Sequence, residues 1–216
     1  MVRVGVYVVH SYDGTRILCD LLSDEYDVGL IDAGDVKVGL GDFDVVVFPG
    51  GHEHVFKCFL SSRFREQLRR FVGDGGGYLG VCGGALVGGF LGFGGCKMGY
   101  LRLTPYATYY SLVGWDKARR ELTICWSERN IFGRAGKQKI RWASSPYIID
   151  AGNLNIDAFY EESVFLLPLR KKGAIASGYY KRGKVVLFCP HPELPCKNID
   201  NSTLILDAIK WLTNQK

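Results

Sequence analysis

Tyr78-Leu79-Gly80-Val81-Cys82-Gly83-Gly84-Ala85 is the stretch on which the fold turns. Tyr78–Val81 reads as a short apolar strand, and the small residues from about Gly84 to Leu91 read as a helix. Gly-x-Cys-x-Gly between a strand and a helix is the nucleophile-elbow pattern, with cysteine in place of serine. A nucleophile on so sharp a turn sits in strained backbone, and its neighbours two residues away come too close to carry side chains. The helix start behind Cys82 favours thiolate over thiol, and the Gly83 N–H can point at a developing oxyanion. Taken alone, the motif fits equally well a glycine-rich turn around a small buried cysteine.

The elbow lies inside an unusual run. From Gly75 to Cys96 there are 22 residues without a charge, and 11 of them are glycine. A charge-free run of that length first suggests a membrane span. Composition argues against it, because half the run offers no apolar side chain and each glycine weakens a helix by roughly 0.8–1 kcal/mol relative to alanine. No Gly-X-Y period is present, so collagen is excluded. Aromatics at 13% of 216 residues argue against disorder.

Outward from the elbow, strands and helices alternate. Val2–Val9 and Asp44–Phe48 are continuous β-rich apolar runs, and Tyr26–Ile31 reads as a further strand. Asp13–Leu22 and Ser61–Val72 fit helices, with Asp13 either an N-cap or a pocket residue. Alternation of this kind implies an α/β fold, flavodoxin-like, with an open, mostly parallel sheet and helices on both faces. Residues 98–182 add a β-rich flank, with strands expected at Leu101–Leu103, Leu122–Trp126, Lys139–Trp142, Tyr147–Ile149, Val164–Leu167 and Ala174–Tyr180. Lys184–Cys189 is another strong strand, and Asp200–Leu212 closes the chain as an amphipathic helix. No linker or repeat interrupts this, so residues 1–216 are expected to form a single domain.

Two further motifs follow strands. Cys189-Pro190-His191-Pro192-Glu193 fixes one of only four histidines between two prolines. Extended geometry puts residues i and i+2 on one side, so the Glu193 carboxylate can orient the His191 imidazole. A Pro-rich exit turn with an exposed histidine is the simpler account of that stretch alone. Pro49-Gly50-Gly51 ends a buried strand, where ligands of open α/β sheets bind and where glycine N–H groups can donate to an oxyanion. A tight turn would look the same. All three motifs follow strands and therefore converge on one edge of the sheet.

In order, spacing and chain length, Pro49-Gly50-Gly51, Gly80-Val81-Cys82-Gly83-Gly84 and His191-Pro192-Glu193 resemble the class I glutamine amidotransferase-like superfamily. Within it, Gly-Gly-Tyr-Leu-Gly-Val-Cys at 76–82 resembles the module at the N-terminus of some biotin–protein ligases. The resemblance covers roughly residues 1–214. It implies Cys82 as nucleophile, His191 as base, Glu193 as orienting acid, and Gly50, Gly51 and Gly83 as the oxyanion region. The reaction implied is amide hydrolysis or transfer through a thioester.

The chain departs from that pattern in one place. Glutamine amidotransferases usually carry a glutamine shortly after the nucleophile, whereas Gly83-Gly84-Ala85-Leu86-Val87 has no polar side chain. The expected substrate is therefore a small amide or amino-acid-like molecule other than simple glutamine. The alternatives are a non-catalytic ligand-binding or regulatory module on the same fold, or an ammonia-supplying subunit of a separate synthase. A synthase or ligase partner fits the last of these.

Candidate pocket residues are His10, His52, Glu53 and Trp142, each near an expected strand end. His52-Glu53-His54 with His191 lacks an acidic or cysteine ligand at convincing spacing, so no metal is expected, nor any cofactor. Lys and Arg total 27 against 22 Asp and Glu, giving a net charge of +5 spread in short clusters. No recognition motif accompanies that charge, so nucleic acid is not an expected partner, and neither is a membrane. Seven cysteines, an odd number with no CxxC pair, and an N-terminus without a signal-peptide pattern suggest free thiols in the cytoplasm.

Overall fold

The computed structural model describes residues 1–10, 13–51, 61–99, 119–164 and 167–214. The first half alternates as expected: β1 (Arg3–Tyr7), α1 (Gly14–Leu22), β2 (Asp27–Ile31), α2 (Ala33–Val38), β3 (Val45–Phe48), α3 (Ser62–Gly73), β4 (Gly77–Val81) and α4 (Gly83–Phe90). The flank holds β5 (Lys97–Gly99), β6 (Arg119–Trp126), β7 (Lys137–Ala143), β8 (Tyr147–Asp150), β9 (Asn155–Tyr160) and β10 (Gly173–Tyr180). The chain then returns through β11 (Gly183–Phe188) to α5 (Thr203–Thr213).

All eleven strands join one sheet, whose main path runs β2-β1-β3-β4-β11-β10-β9-β6-β7. The first five along that path pair in parallel, in the flavodoxin-like order. From β10 onward every pairing is antiparallel. The central parallel strands are covered on both sides, with all of Val45–Phe48 and Gly77–Val81 buried, while β2 at the edge is largely exposed.

Strand alternation assigns the helices to faces. Tyr78 and Gly80 look toward α4: the Tyr78 hydroxyl donates to Gly84 O at 2.7 Å, and a Cβ on Gly80 would meet Gly84 O at 2.6 Å. Phe64 of α3 packs edge-on to Phe48, with ring centroids 6.3 Å apart, and Phe48 stacks on both Tyr7 and Tyr78. Gly77 looks the other way, where a Cβ would meet Leu212 of α5 at 3.1 Å. Helices therefore cover both faces. Among the described residues no helix is long and apolar enough to cross a membrane.

Several elements differ from the sequence expectation. α2 goes unread in the sequence because it is short and contains Gly34; its local signal is a capping box between Asp32 and Asp35. β9 is hidden by the exposed Asn155 and the buried Asp157, polar residues in a partly buried strand. The short β5 is also additional. Of the strand expected at Val164–Leu167, only the two end residues are described. The two end residues bond each other, Val164 N–H to Leu167 O at 3.1 Å and Leu167 N–H to Val164 O at 2.7 Å. Asp13 takes the N-cap position of α1 but its side chain makes no capping bond. Leu101–Leu103 lies outside the described residues.

Candidate functional site

Cys82 stands between β4 and α4 with φ 49° and ψ −104°, a region rarely entered by residues other than glycine. Two backbone bonds hold this turn. The Cys82 N–H donates to Phe188 O at 2.7 Å, tying it to β11, and the Gly84 N–H donates to Pro49 O at 3.1 Å, tying it to the end of β3. Glycine at 84 is required by contact, since a Cβ there would sit 1.9 Å from Phe48 O. The Gly83 N–H opens α4 and has no acceptor within the helix.

His191 follows β11 on the neighbouring strand end. Its Nδ1 lies 2.7 Å from Glu193 Oε1. Both side chains are withdrawn from water, with His191 3% and Glu193 6% exposed. The Cys82 side chain lies within electrostatic reach of the same imidazole. Burial pulls the imidazole pKa down, but the negative charges of Cys82 and Glu193 and their hydrogen bonds outweigh it and raise it well above its ordinary value. A Cβ on Gly50 would lie 2.6 Å from His191 Cε1 and 3.5 Å from Cys82 Cβ. The Pro49-Gly50-Gly51 turn is therefore packed directly against both side chains.

The other thiols are in different surroundings. Burial raises Cys189 well above the usual thiol value, with the nearby charges of Cys96 and Cys82 adding to it. Burial, with Asp150 beside it, pushes Cys96 up to about 11. Burial is also the main cause of upward shifts at Cys19 and Cys196. The six described cysteines are free thiols, Cys189 and Cys196 included.

Of the other candidates, His10 is exposed just past β1 and makes no hydrogen bond to Cys82, His191 or Glu193. Trp142 is fully buried within β7, and its indole N–H has no hydrogen-bond partner among the described residues. Gly51 follows Gly50 at the end of β3, and His52 and Glu53 lie outside the described residues. No cluster of metal-ligating side chains occurs among the described residues. A groove of about 460 Å³ opens at the opposite, amino-terminal edge of the sheet, against Val2, Asp44, Gly76 and Leu212. It is lined by none of Cys82, His191 and Glu193.

The sequence does not reveal two other neighbours. Tyr160 of β9 is fully buried, donates to Pro146 O at 3.3 Å, and lies near enough to Cys189 and Cys82 for their charges to raise its pKa further, after burial. Arg141 of β7 accepts the His191 N–H on its carbonyl at 2.8 Å. Nothing in the linear order connects residue 141 with residue 191; only the curl of the flank does.

The family model described as biotin–protein ligase, N terminal, matches residues 9–93. That span includes Gly50, Gly51 and Cys82 and stops short of His191. No curated protein matches the chain. Among solved structures, a glutamine amidotransferase from Thermotoga maritima is similar with a TM-score of 0.68 at 13% identity, over 99% of both chains. PurLQS from the same organism gives 0.66 at 15% identity, over 98% of this chain and 99% of that one. A protein assigned to GMP synthase as one of its subunits, from Thermoplasma acidophilum, gives 0.65 at 13% identity, over 98% and 96%. At these identities the likeness concerns the fold alone, which this chain shares with those three proteins.

Proposed function

We propose that the chain works as a single amidotransferase-like unit that hydrolyses an amide through a Cys82-His191-Glu193 triad. The observation that carries this reading is the strained Cys82 turn beside an imidazole whose Nδ1 is 2.7 Å from a buried carboxyl group. Glu193 holds the Nδ1 proton, leaving Nε2 for the sulfur. The Cys82 thiolate attacks the amide carbonyl carbon, and the oxyanion is received by N–H groups of Gly50, Gly51 and Gly83. Collapse breaks the C–N bond; the amine leaves with a proton from His191, and a thioester forms. His191, now neutral, takes a proton from water, which adds to the thioester and releases carboxylic acid and free Cys82.

Gly83 through Val87 are all buried and offer no polar side chain to the substrate. This favours an amide other than simple glutamine, small or amino-acid-like. The same observation favours the second reading, a binding or regulatory module that retains the elbow without turnover. The similarity to a protein assigned to a synthase supports a partner synthase or ligase that would use the released amine.

Competitive alkylation separates these readings. With iodoacetamide at pH 7, Cys82 is expected to react faster than the other six thiols. His191→Gln is expected to lower its rate by about tenfold or more, in keeping with a positioned base. Intact-mass analysis after exposure to an amide library is expected to show an acyl adduct on Cys82. Equal rates at all thiols, with no effect of His191→Gln, would remove the triad reading. Ligand binding that survives Cys82→Ala, with no adduct, would establish the module instead.

A further inference from the structure

The antiparallel flank does not simply extend the sheet. Beyond β11 the order continues β10, β9, β6, β7, and β7 then meets the segment that directly follows β11. The meeting is an isolated antiparallel bridge between Arg141 and His191, closed by the His191 N–H donating to Arg141 O at 2.8 Å. Inside this curl Phe132 packs on Phe188, with ring centroids 5.6 Å apart. The flank thus returns on the strand end that carries the base.

Arg141 also grips the far side of the same loop. Its Nε and Nη2 both donate to Pro195 O, at 3.0 and 2.7 Å. Its Nη2 lies 3.7 Å from Glu121 Oε1 of β6, and that carboxylate also accepts the Lys197 N–H. The Asn201 side chain continues the attachment by donating to Lys139 O at 3.1 Å. Loop 191–201 has no regular secondary structure of its own, so β6 and β7 determine where it sits.

We propose that Arg141 is a positioning residue for His191, its carbonyl fixing the base's own backbone and its guanidinium fixing the loop at Pro195. The proposal rests on the triad reading above. A two-pronged grip sets both ends of His191–Pro195, and a displacement of ~1 Å at a catalytic group is enough to lose on the order of 100-fold in rate. Lysine reaches a single acceptor without the planar fork, so it replaces the grip only in part.

The test follows His191 and Cys82 separately in Arg141→Ala and Arg141→Lys, with Arg134→Ala as a surface control. Among the described residues, the titratable side chains that act on the imidazole are Cys82 from the elbow and Glu193 from its own loop. NMR titration of the His191 imidazole, assigned with His191→Gln, is the first readout. Removing a nearby cation acts through charge alone to move the midpoint up. Losing the alignment with Cys82 and Glu193 moves it down, and Arg141→Ala is expected to move it down by about one pH unit. Cys82 alkylation is expected to fall about tenfold at pH 6.5 and less than twofold at pH 9.5, where the thiolate forms without the base. Arg141→Lys should fall between wild type and Arg141→Ala.

An upward or unchanged midpoint in both variants, with alkylation as in wild type, overturns the proposal. Should Arg141→Ala fail to fold, Arg141→Lys and Glu121→Gln decide it by the same criterion. If wild-type Cys82 is no more reactive than the other thiols yet the midpoint still drops, the positioning role stands and the hydrolase reading falls. If Cys82 is selectively reactive and the variants leave both readouts unchanged, only the positioning role falls.

Discussion

A side chain held at φ 49° and ψ −104° costs roughly 1–3 kcal/mol that glycine would not incur. Cys82 carries that cost because the turn is fixed on both sides, by Phe188 O and Pro49 O. Cys82→Gly is therefore expected to unfold at higher denaturant than Cys82→Ala, by about 1 kcal/mol, reversing the usual penalty for glycine beside a helix. Equal stability would mean the turn relaxes without the thiol. Cys82, His191 and Glu193 are legible as candidates in the sequence because each motif is local: an elbow needs its glycines two residues away, and Pro-His-Pro-Glu sets its own extended geometry. Arg141 and Tyr160 are not legible, because their relation to the site exists only through strand pairing.

At the scale of elements, the glycine run is mostly a packing surface. Gly80 admits the α4 backbone, Gly84 admits the Phe48 carbonyl, and Gly88 receives Leu187, which a Cβ would meet at 2.6 Å. Helix α4 thus lies closer to the sheet than side chains would allow, and its N-terminus is brought to the strand ends of β3 and β4. Gly84→Ala is expected to destabilise the protein by about 3 kcal/mol, because the obstructing atom is backbone and cannot rotate away. A midpoint shift in urea under a third of that would show that α4 can slide outward. The alternating elements of the first half are readable because buried parallel strands are continuous apolar runs. α2 and β9 are obscured by Gly34 and Asp157, where capping and a buried carboxyl override the simple pattern.

For the whole molecule, the buried carboxyl of Asp157 gives a measurable pH signature. Burial raises it from 3.8 to about 6, although hydrogen bonds from the Ile131 N–H and the Asn155 side chain pull the other way. A folded-state pKa above the unfolded one means the native state holds the extra proton between those values. This group therefore weakens the fold above pH 6, and the penalty is relieved as pH falls toward 4. Between pH 7.5 and 4.5 the wild type should gain about 2 kcal/mol relative to Asp157→Asn, measured by urea unfolding at each pH. A difference independent of pH would place the Asp157 carboxyl at its ordinary value.

The same scale separates what the sequence determines from what it leaves open. Periodicity and local turn chemistry determine the α/β class, the parallel core and the elbow, because each depends on residues within about one turn or strand of one another. The sequence also places Cys82 and His191 after strands, so both reach the same edge once the sheet is parallel. The tertiary structure alone decides that β4 and β11 are neighbours, so that these two residues, 109 positions apart in the chain, meet at one strand edge. It alone brings β7 back to hold the histidine loop. The physical reason is that strand order and curl are set by the packing of whole faces, and no local pattern records which strand end another strand will meet.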